Sequence, residues 1–306
     1  MRISKAVIGL SSLIVVLALI ATGVGLFWQD GGSPFIFTTL RGGTATIYGQ
    51  GLYRYDSLFA ATGYKGQDAV TLVLGIPLLV LCIVLYRRGS LRGGWLLMGM
   101  LAYFLYVYAS MALGAAYNSL FLVYIALFSA SLFAFVLAFT SIDLQTVSAR
   151  FSTRLPHRAI AIFLFVSGLL TLFVWLEPLV GVLVRGQPPK LLAASTTIIT
   201  DVLDLGIIVP ALFLSGALVL RRDPRGYQIA FPLFVIIVIL LPVIAASTTS
   251  QLAAGITFTT GEIVGPISGF LVLGLIALAI IVAMLRSIPG SAPRPEAEQS
   301  QTPVRS

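Results

Sequence analysis

Eight long apolar runs alternate with short polar segments along the chain. They fall at roughly residues 6–28, 69–86, 94–113, 117–141, 158–184, 200–220, 227–248 and 263–285. A helix that crosses a bilayer needs about 20 apolar residues, and each run reaches or approaches that length. The pattern therefore predicts an all-α fold: a polytopic transmembrane helical bundle of eight helices that occupies residues 1–286.

The composition indicates the same surroundings. Hydrophobic residues make up 58% of the 306 residues, charged residues make up 10%, and the mean hydropathy is +1.02. A soluble domain carries about 25% charged residues, so most of this chain needs lipid around it. The first run follows Arg2 and Lys5 as a signal peptide would, but it is too long for one. We predict a retained helix; cleavage would leave seven.

The distribution of basic residues predicts the orientation. With the N-terminus in the cytoplasm, only five of the 19 Lys and Arg residues lie outside: Arg41, Arg54, Lys65, Arg185 and Lys190. Every inner loop is then more basic than its outer neighbours, as the positive-inside rule requires. We therefore expect a cell membrane protein with both termini cytoplasmic. Attraction to anionic lipid accounts for the net charge of +8, and no nucleic-acid partner is expected.

Two segments outside the apolar runs have their own patterns. In the outer loop, residues 29–68, two β-prone stretches flank Arg41-Gly42-Gly43, which predicts a β-hairpin. A short helix lying in the membrane interface is predicted to follow it, with four apolar residues on one face: Leu52, Tyr55, Leu58 and Phe59. Residues 287–306 are rich in Pro, Ser, Gln and Glu, which predicts a disordered cytoplasmic tail.

A weak internal repeat links the second and sixth runs. The stretch Asp68–Pro77 resembles Asp201–Pro210, since in both an aspartate stands nine residues before a proline. Each run then ends at paired arginines and soon reaches Arg-Gly. The match predicts a parallel 4+4 repeat whose halves are related by an axis along the membrane normal. The alternative is that any two helices of the same orientation share outer aspartates and inner arginines.

The sequence lacks the residues that several chemistries common in membrane proteins require. Cys82 is the only cysteine in the sequence and His157 the only histidine, and the three lysines lie outside the apolar runs. A dithiol relay, a zinc or haem centre and a retinal Schiff base are therefore not expected. We predict no cofactor, no metal ligands and no catalytic residues, and a non-enzymatic protein is favoured.

Polar side chains collect in the outer half of the predicted bundle, whereas the inner half has no comparable carboxylates. Ionisable residues inside membrane helices are costly and therefore mark candidate sites. We predict an outward-facing polar pocket from eight residues: Glu177, Asp204, Asp201, Tyr103, Tyr106, Asn118, Arg54 and Asp56. Glu177 is the first candidate, because Pro178 frees a backbone carbonyl one turn before it, and a carboxylate near a free carbonyl suits a cation or a donor-rich ligand.

Structural explanations compete at these positions. Tyrosines near a membrane interface commonly form an aromatic belt. Asp201 and Glu262 stand at helix starts, where acidic residues cap the helix. Glu177 could form a structural ion pair with Arg54 or Arg185.

Three segments resemble a bacterial group of multipass membrane proteins without an assigned activity. They are Tyr53–Phe59, Tyr117–Tyr124 and Asp204–Pro210. The resemblance implies the eight-helix topology and no particular chemistry.

Three functions remain open from the sequence. The first is a protein whose outer pocket senses, binds or chaperones a small polar ligand, a cation or a lipid headgroup. The second is a secondary transporter, suggested by the proline-broken helices and the repeat. The third is a lipid-modifying enzyme with Asp56, Glu177 and Asp204 as acid or base. The expected partners are membrane lipid and an unknown small ligand, and the oligomeric state is open.

Overall fold

The computed structural model describes residues 3–144, 151, 155–186 and 189–288. Within this part of the chain, eight helices are long and apolar enough to cross a membrane. They are α1 (Lys5–Phe27), α2 (Leu58–Arg87), α3 (Leu91–Gly114), α4 (Phe121–Ser141), α5 (His157–Arg185), α6 (Ile199–Leu220), α7 (Pro224–Ala253) and α8 (Thr260–Ser287). The predicted all-α polytopic bundle is confirmed. The tail predicted at 287–306 lies, from residue 289 onward, outside the described residues.

The predicted hairpin is confirmed and is tied to the bundle. Strands β1 (Phe35–Thr38) and β2 (Thr44–Ile47) pair antiparallel across a turn in which Gly42 has a φ of +80°. Beyond β2, the Tyr48 N–H donates to the Asp56 carbonyl at 2.9 Å. We call the end of the bundle that carries the hairpin the hairpin side. The opposite end, where the arginine pairs lie, is the arginine side.

Helix α2 begins much earlier than the hydropathy pattern indicated. It starts at Leu58, where the Ser57 hydroxyl accepts from the Ala60 N–H at 3.2 Å, rather than near residue 69. The predicted interfacial helix is wrong, because residues 51–55 form turns in which Leu52 is buried and Tyr55 is 61% exposed. Polar side chains in the first half of α2 face neighbouring elements of the bundle. The hydropathy pattern assigned these residues to a loop, although they belong to a helix that continues into the membrane span.

The two halves share an interruption of regular α-helical structure. A π-helical turn spans Thr71–Gly75 in α2 and Asp204–Ile208 in α6, and each turn begins three residues after the aspartate of the repeat. Each turn is followed by an α-helical segment with proline in its first two positions. The alternative explanation, that the two helices merely share an orientation, does not account for a common π turn.

Several helix contacts follow the repeat, although α1 packs extensively against α4 and no equally extensive α5–α8 contact occurs among the described residues. Helix α2 packs against α7, and α3 contacts the start of α6, which are equivalent pairs if α2 corresponds to α6 and α3 to α7. Helix α3 also packs against α7 between the halves. The turns from α2 to α3 and from α6 to α7 match too, because a Cβ on Gly93 or Gly226 would collide with the backbone of the preceding helix.

Aromatic side chains pack closely in the arginine-side half. The Trp95 ring meets the Phe231 ring at 5.3 Å and the Phe151 ring at 5.5 Å, both edge-on, and Phe151 contacts Tyr227 at 5.2 Å. All four side chains are at most 2% exposed. Edge-to-face pairs of this kind stabilise a core beyond their buried area. This half of the bundle is therefore a dense, mainly apolar core.

Candidate functional site

A cavity of about 830 Å³ lies among the hairpin-side ends of five helices, α2, α3, α5, α6 and α7. Its aromatic walls come from Phe59, Tyr64 and Trp175. Besides Tyr64, its polar side chains are five Ser or Thr residues, two amides and two carboxylates: Ser110, Ser195, Thr197, Thr200, Ser247, Gln67, Gln251, Glu177 and Asp201. Binding sites for small molecules have this composition, with mainly apolar walls and a few polar groups.

The connection between α5 and α6 forms part of the cavity wall. It contains a short 3₁₀ helix, Lys190–Leu192, and then runs past Ser195 to the first turn of α6. The hairpin reaches this connection, because the Arg41 guanidinium donates to the Ser195 carbonyl at 3.5 Å. At the far end, Ile199 packs against Gly114, where a Cβ would collide with it. The connection is thus held between the hairpin and α3.

Asp201 presents an unsatisfied oxygen at the cavity wall. Its side chain is 8% exposed, and Oδ1 is buried without a hydrogen-bond partner among the described residues. Asp201 lies in the first turn of α6, but the N-cap is Ile198 and no side chain caps this helix. The Gln67 Nε2 in the same lining is also buried without a partner in the described part of the chain. Two residues of the lining thus carry buried polar atoms without a partner in the described part of the chain, an acceptor on Asp201 and a donor on Gln67.

Glu177 lies at the edge of the same cavity, one residue before the in-helix Pro178. Its side chain is exposed. The structural ion pair with Arg54 considered above does not form, because the Arg54 guanidinium pairs with Asp30 at 3.0 Å. The Arg185 side chain lies outside the described ones. Glu177 therefore adds a second carboxylate to a lining that, among the described side chains, contains no Lys or Arg.

Asp204 is satisfied by two donors behind the cavity wall. Its Oδ1 accepts from the Tyr106 hydroxyl at 2.9 Å, and its Oδ2 accepts from the Trp175 indole N–H at 2.8 Å. Trp175 itself lines the cavity, so Asp204 holds the indole ring in place. Asp204 and Tyr106 were predicted to bind ligand directly, but the geometry gives them a positioning role.

A second polar cluster lies deeper, in the first half of the repeat. The Tyr53 hydroxyl donates to Asp68 Oδ2 at 2.5 Å, and these side chains are 1% and 5% exposed. The Tyr103 hydroxyl makes a hydrogen bond of 2.9 Å with Thr71, at the start of the π turn. Tyr103 was predicted to share a site with Glu177, but it belongs to this other cluster. Asp68 was missed because the predicted second span began after it; its match to Asp201 in the repeat was the available signal.

The three remaining candidates organise the hairpin-side loops. Asp56 Oδ1 accepts from the Ala116 N–H at 2.8 Å, while Oδ2 is buried without a partner in the described residues. Burial raises the pKa of Asp56 to about 6, and the Ala116 hydrogen bond opposes that rise. Asn118 closes the turn before α4, because its Oδ1 accepts from the Leu120 N–H at 2.9 Å. Arg54, the third of these candidates, forms a salt bridge with Asp30.

Asp30 fastens the loop that carries these residues. Its Oδ1 accepts from the Gly51 N–H at 3.0 Å and from the Gly32 N–H at 3.3 Å. The Gly51 hydrogen bond is the main reason why the pKa of Asp30 lies below its ordinary value, and Gly32 and Arg54 add to the effect. At the start of α8, Glu262 forms the predicted cap, since its Oε2 accepts from the Thr259 N–H at 2.7 Å.

The eight predicted site residues therefore do not form one site. Glu177 and Asp201 line the cavity, Tyr106 and Asp204 support its wall, and four lie elsewhere: Tyr103, Asn118, Arg54 and Asp56. Sequence reasoning missed the amides Gln67 and Gln251, which stand on polar helix ends that resemble loops in a hydropathy pattern. Among the described residues, no group of three or more His, Cys, Asp or Glu could hold a metal ion.

No protein-family model, curated protein or solved structure matches the chain.

Proposed function

We propose that this multi-pass protein resides in the cell membrane with both termini in the cytoplasm and binds a small amphipathic molecule in the hairpin-side cavity. The observation that carries the proposal is Asp201 Oδ1, a buried carboxylate oxygen without a partner among the described residues, at the wall of a cavity of about 830 Å³. The basic residues of the arginine side support the orientation, which would make the cavity face outward.

An unsatisfied buried acceptor favours a ligand with a donor. Leaving such a group unpaired costs about 1–3 kcal/mol, and more when it is charged. A bound N–H or O–H would offset that cost. The volume falls within the range of roughly 300–1,000 Å³ that small-molecule sites occupy, and the aromatic walls suit a carbon skeleton. A small polar ligand or a lipid headgroup with an apolar part meets these requirements.

A secondary transporter is the second candidate, because π turns interrupt α2 and α6 at equivalent positions. Broken helices at matching positions of two repeats are typical of transporter binding sites. Against this function, the arginine-side half is closed by packed aromatic rings. A lipid-modifying enzyme has less support, since the predicted acid–base trio is dispersed: Asp56 in a loop, Glu177 at the cavity, Asp204 behind its wall.

Native mass spectrometry of protein released from nanodiscs tests the proposal. The wild type is compared with Asp201→Leu, which removes the free acceptor, and with Glu177→Gln. The matched control is Glu262→Gln, which neutralises a carboxylate on the same side, away from the cavity, while keeping a side chain that can cap α8. We expect a bound mass in the wild type and in the control that is lost or strongly reduced in Asp201→Leu.

A bound mass that survives in both cavity variants would contradict the cavity as the binding site. A wild type that carries no adduct across lipid compositions, with all four proteins equally stable, would refute the binding function itself.

A further inference from the structure

Asp68 and Asp201 occupy equivalent positions in the two halves but have different surroundings. Each lies on the hairpin-side segment of its helix, three residues before the π turn. Asp68 is hydrogen-bonded by the Tyr53 hydroxyl, whereas Asp201 Oδ1 has no partner in the described residues and lies at the cavity wall. The protein thus contains this aspartate site in two versions. In the filled version, at Asp68, a tyrosine hydroxyl occupies the acceptor, and in the open version, at Asp201, the acceptor oxygen has no partner in the described part of the chain.

The filled version is shaped around a phenol. Tyr53 is 1% exposed, and its ring packs against the Tyr64 ring with centroids 5.4 Å apart. Helix α1 contributes Gly25 at the point where any Cβ would collide with both the Tyr53 hydroxyl and Asp68 Oδ2. A missing side chain on one helix therefore makes the room for a phenolic hydroxyl beside the aspartate.

The open version has matching walls. Tyr64, whose ring packs at a tilt against the Tyr53 ring, also lines the cavity, together with Phe59 and Trp175. On the second half, α5 contributes Gly181 to the same lining. The lining thus combines an aspartate, aromatic side chains and a glycine, the residue types that surround the Tyr53 side chain.

We propose that the cavity takes a hydroxylated aromatic ring whose phenolic hydroxyl donates to Asp201 Oδ1, as Tyr53 donates to Asp68. This inference depends on the proposed binding function and specifies its ligand class. The Tyr53–Asp68 pair is the precedent for this choice, because there the repeat-equivalent aspartate is already paired with a phenolic hydroxyl rather than with a cation.

Equilibrium dialysis of the nanodisc-embedded protein tests the ligand class, with binding to empty nanodiscs subtracted. The probes are 4-propylphenol, propylbenzene and 4-propylbenzylamine, which share a ring and a chain and differ in the polar group. We expect the phenol to bind most tightly. Because a hydrogen bond to a charged group contributes about 1.5–3 kcal/mol, the phenol should bind at least tenfold more tightly than propylbenzene.

Three variants separate the contributions. Asp201→Leu should weaken phenol binding by about tenfold or more, because it removes the hydrogen-bond acceptor. Asp201→Asn keeps an acceptor and removes the charge, so it should weaken the phenol only a few-fold. Glu262→Gln should bind as the wild type does.

The outcomes distinguish this inference from the proposed function. If the benzylamine binds most tightly and Asp201→Asn abolishes its binding, the cavity is a cation site; the phenol inference fails and the binding function stands. If propylbenzene binds as well as the phenol, or the phenol binds equally to wild type and Asp201→Leu, the phenol inference fails. If native mass spectrometry also finds no adduct, both fail.

Discussion

Replacing Tyr53 by Phe removes one hydroxyl from the centre of the Asp68 cluster and nothing else. The bond that is lost is 2.5 Å long and joins two side chains that are 1% and 5% exposed, so water cannot replace it without rearrangement. Leaving a buried acceptor without its donor costs about 1–3 kcal/mol. At roughly 2 °C per kcal/mol for a chain of this size, the melting midpoint should fall by about 2–6 °C.

The matched control is Tyr227→Phe. Tyr227 is also 1% exposed, but its hydroxyl has no hydrogen-bond partner among the described residues. The control removes the same atom from an equally buried ring, and we expect no loss of stability and up to about 1–3 kcal/mol of gain, since no bond is broken and an unsatisfied hydroxyl is removed. The measurement is thermal unfolding in nanodiscs followed by circular dichroism.

A double-mutant cycle isolates the interaction. Asp68→Asn is combined with Tyr53→Phe, and the coupling between the two changes should exceed about 1 kcal/mol if the two groups interact directly. Equal effects of Tyr53→Phe and Tyr227→Phe, or additive effects in the cycle, would refute the reasoning. The Tyr53–Asp68 pair would then no longer be a precedent for a phenol bound at Asp201.

Three further predictions concern the hairpin side. Asp56 has a pKa of about 6 in the folded protein against an ordinary value of 3.8, so its contribution to stability is fully present below about pH 4 and falls by up to roughly 3 kcal/mol as the pH rises through 6. Asp56→Asn should remove this contribution from the pH dependence of the melting midpoint, and an unchanged dependence would contradict it. Gly66→Ala should destabilise the bundle by about 1–3 kcal/mol in thermal unfolding, because its Cβ would collide with the Ser247 backbone on α7, whereas Gly23→Ala, with nothing within 4 Å, should be neutral or stabilising. Asp204→Leu should lower stability by about 2–4 kcal/mol and change the tryptophan emission spectrum, since two buried donors lose their acceptor; an unaltered melting midpoint and spectrum would show that those hydrogen bonds contribute little.

Hydropathy was a good guide to the bundle and a poor guide to the start of α2. A membrane span is defined by a run of apolar residues, because the hydrocarbon core accepts little else. The first turns of α2 carry Lys65, Gln67 and Asp68, which a linear pattern assigns to a loop. Neighbouring elements of the bundle surround these side chains, for example Tyr53 at Asp68, and such compensation depends on contacts far apart in sequence.

Polarity also located the candidate site only approximately. Counting carboxylates and tyrosines by depth identified the correct end of the bundle and two residues of the cavity lining, Glu177 and Asp201. It could not separate carboxylates with free oxygens from those whose oxygens are already hydrogen-bonded. Asp204 lies one turn from Asp201 and is chemically identical, yet two donors occupy its oxygens while Asp201 Oδ1 has none among the described residues. Nothing in the order of residues distinguishes them.

The sequence by itself determined the lipid surroundings, the number of spanning helices and the hairpin, because each depends on local composition or on short-range spacing, and it suggested the repeat. Only the tertiary structure decided which polar groups are paired. That decision depends on where helices approach closely, as at Gly25 beside Asp68, and where they diverge, as around the cavity at Asp201. The two aspartates hold the same place in the repeat, and the packing of neighbouring elements alone makes one a structural partner of Tyr53 and leaves the other at the wall of a cavity.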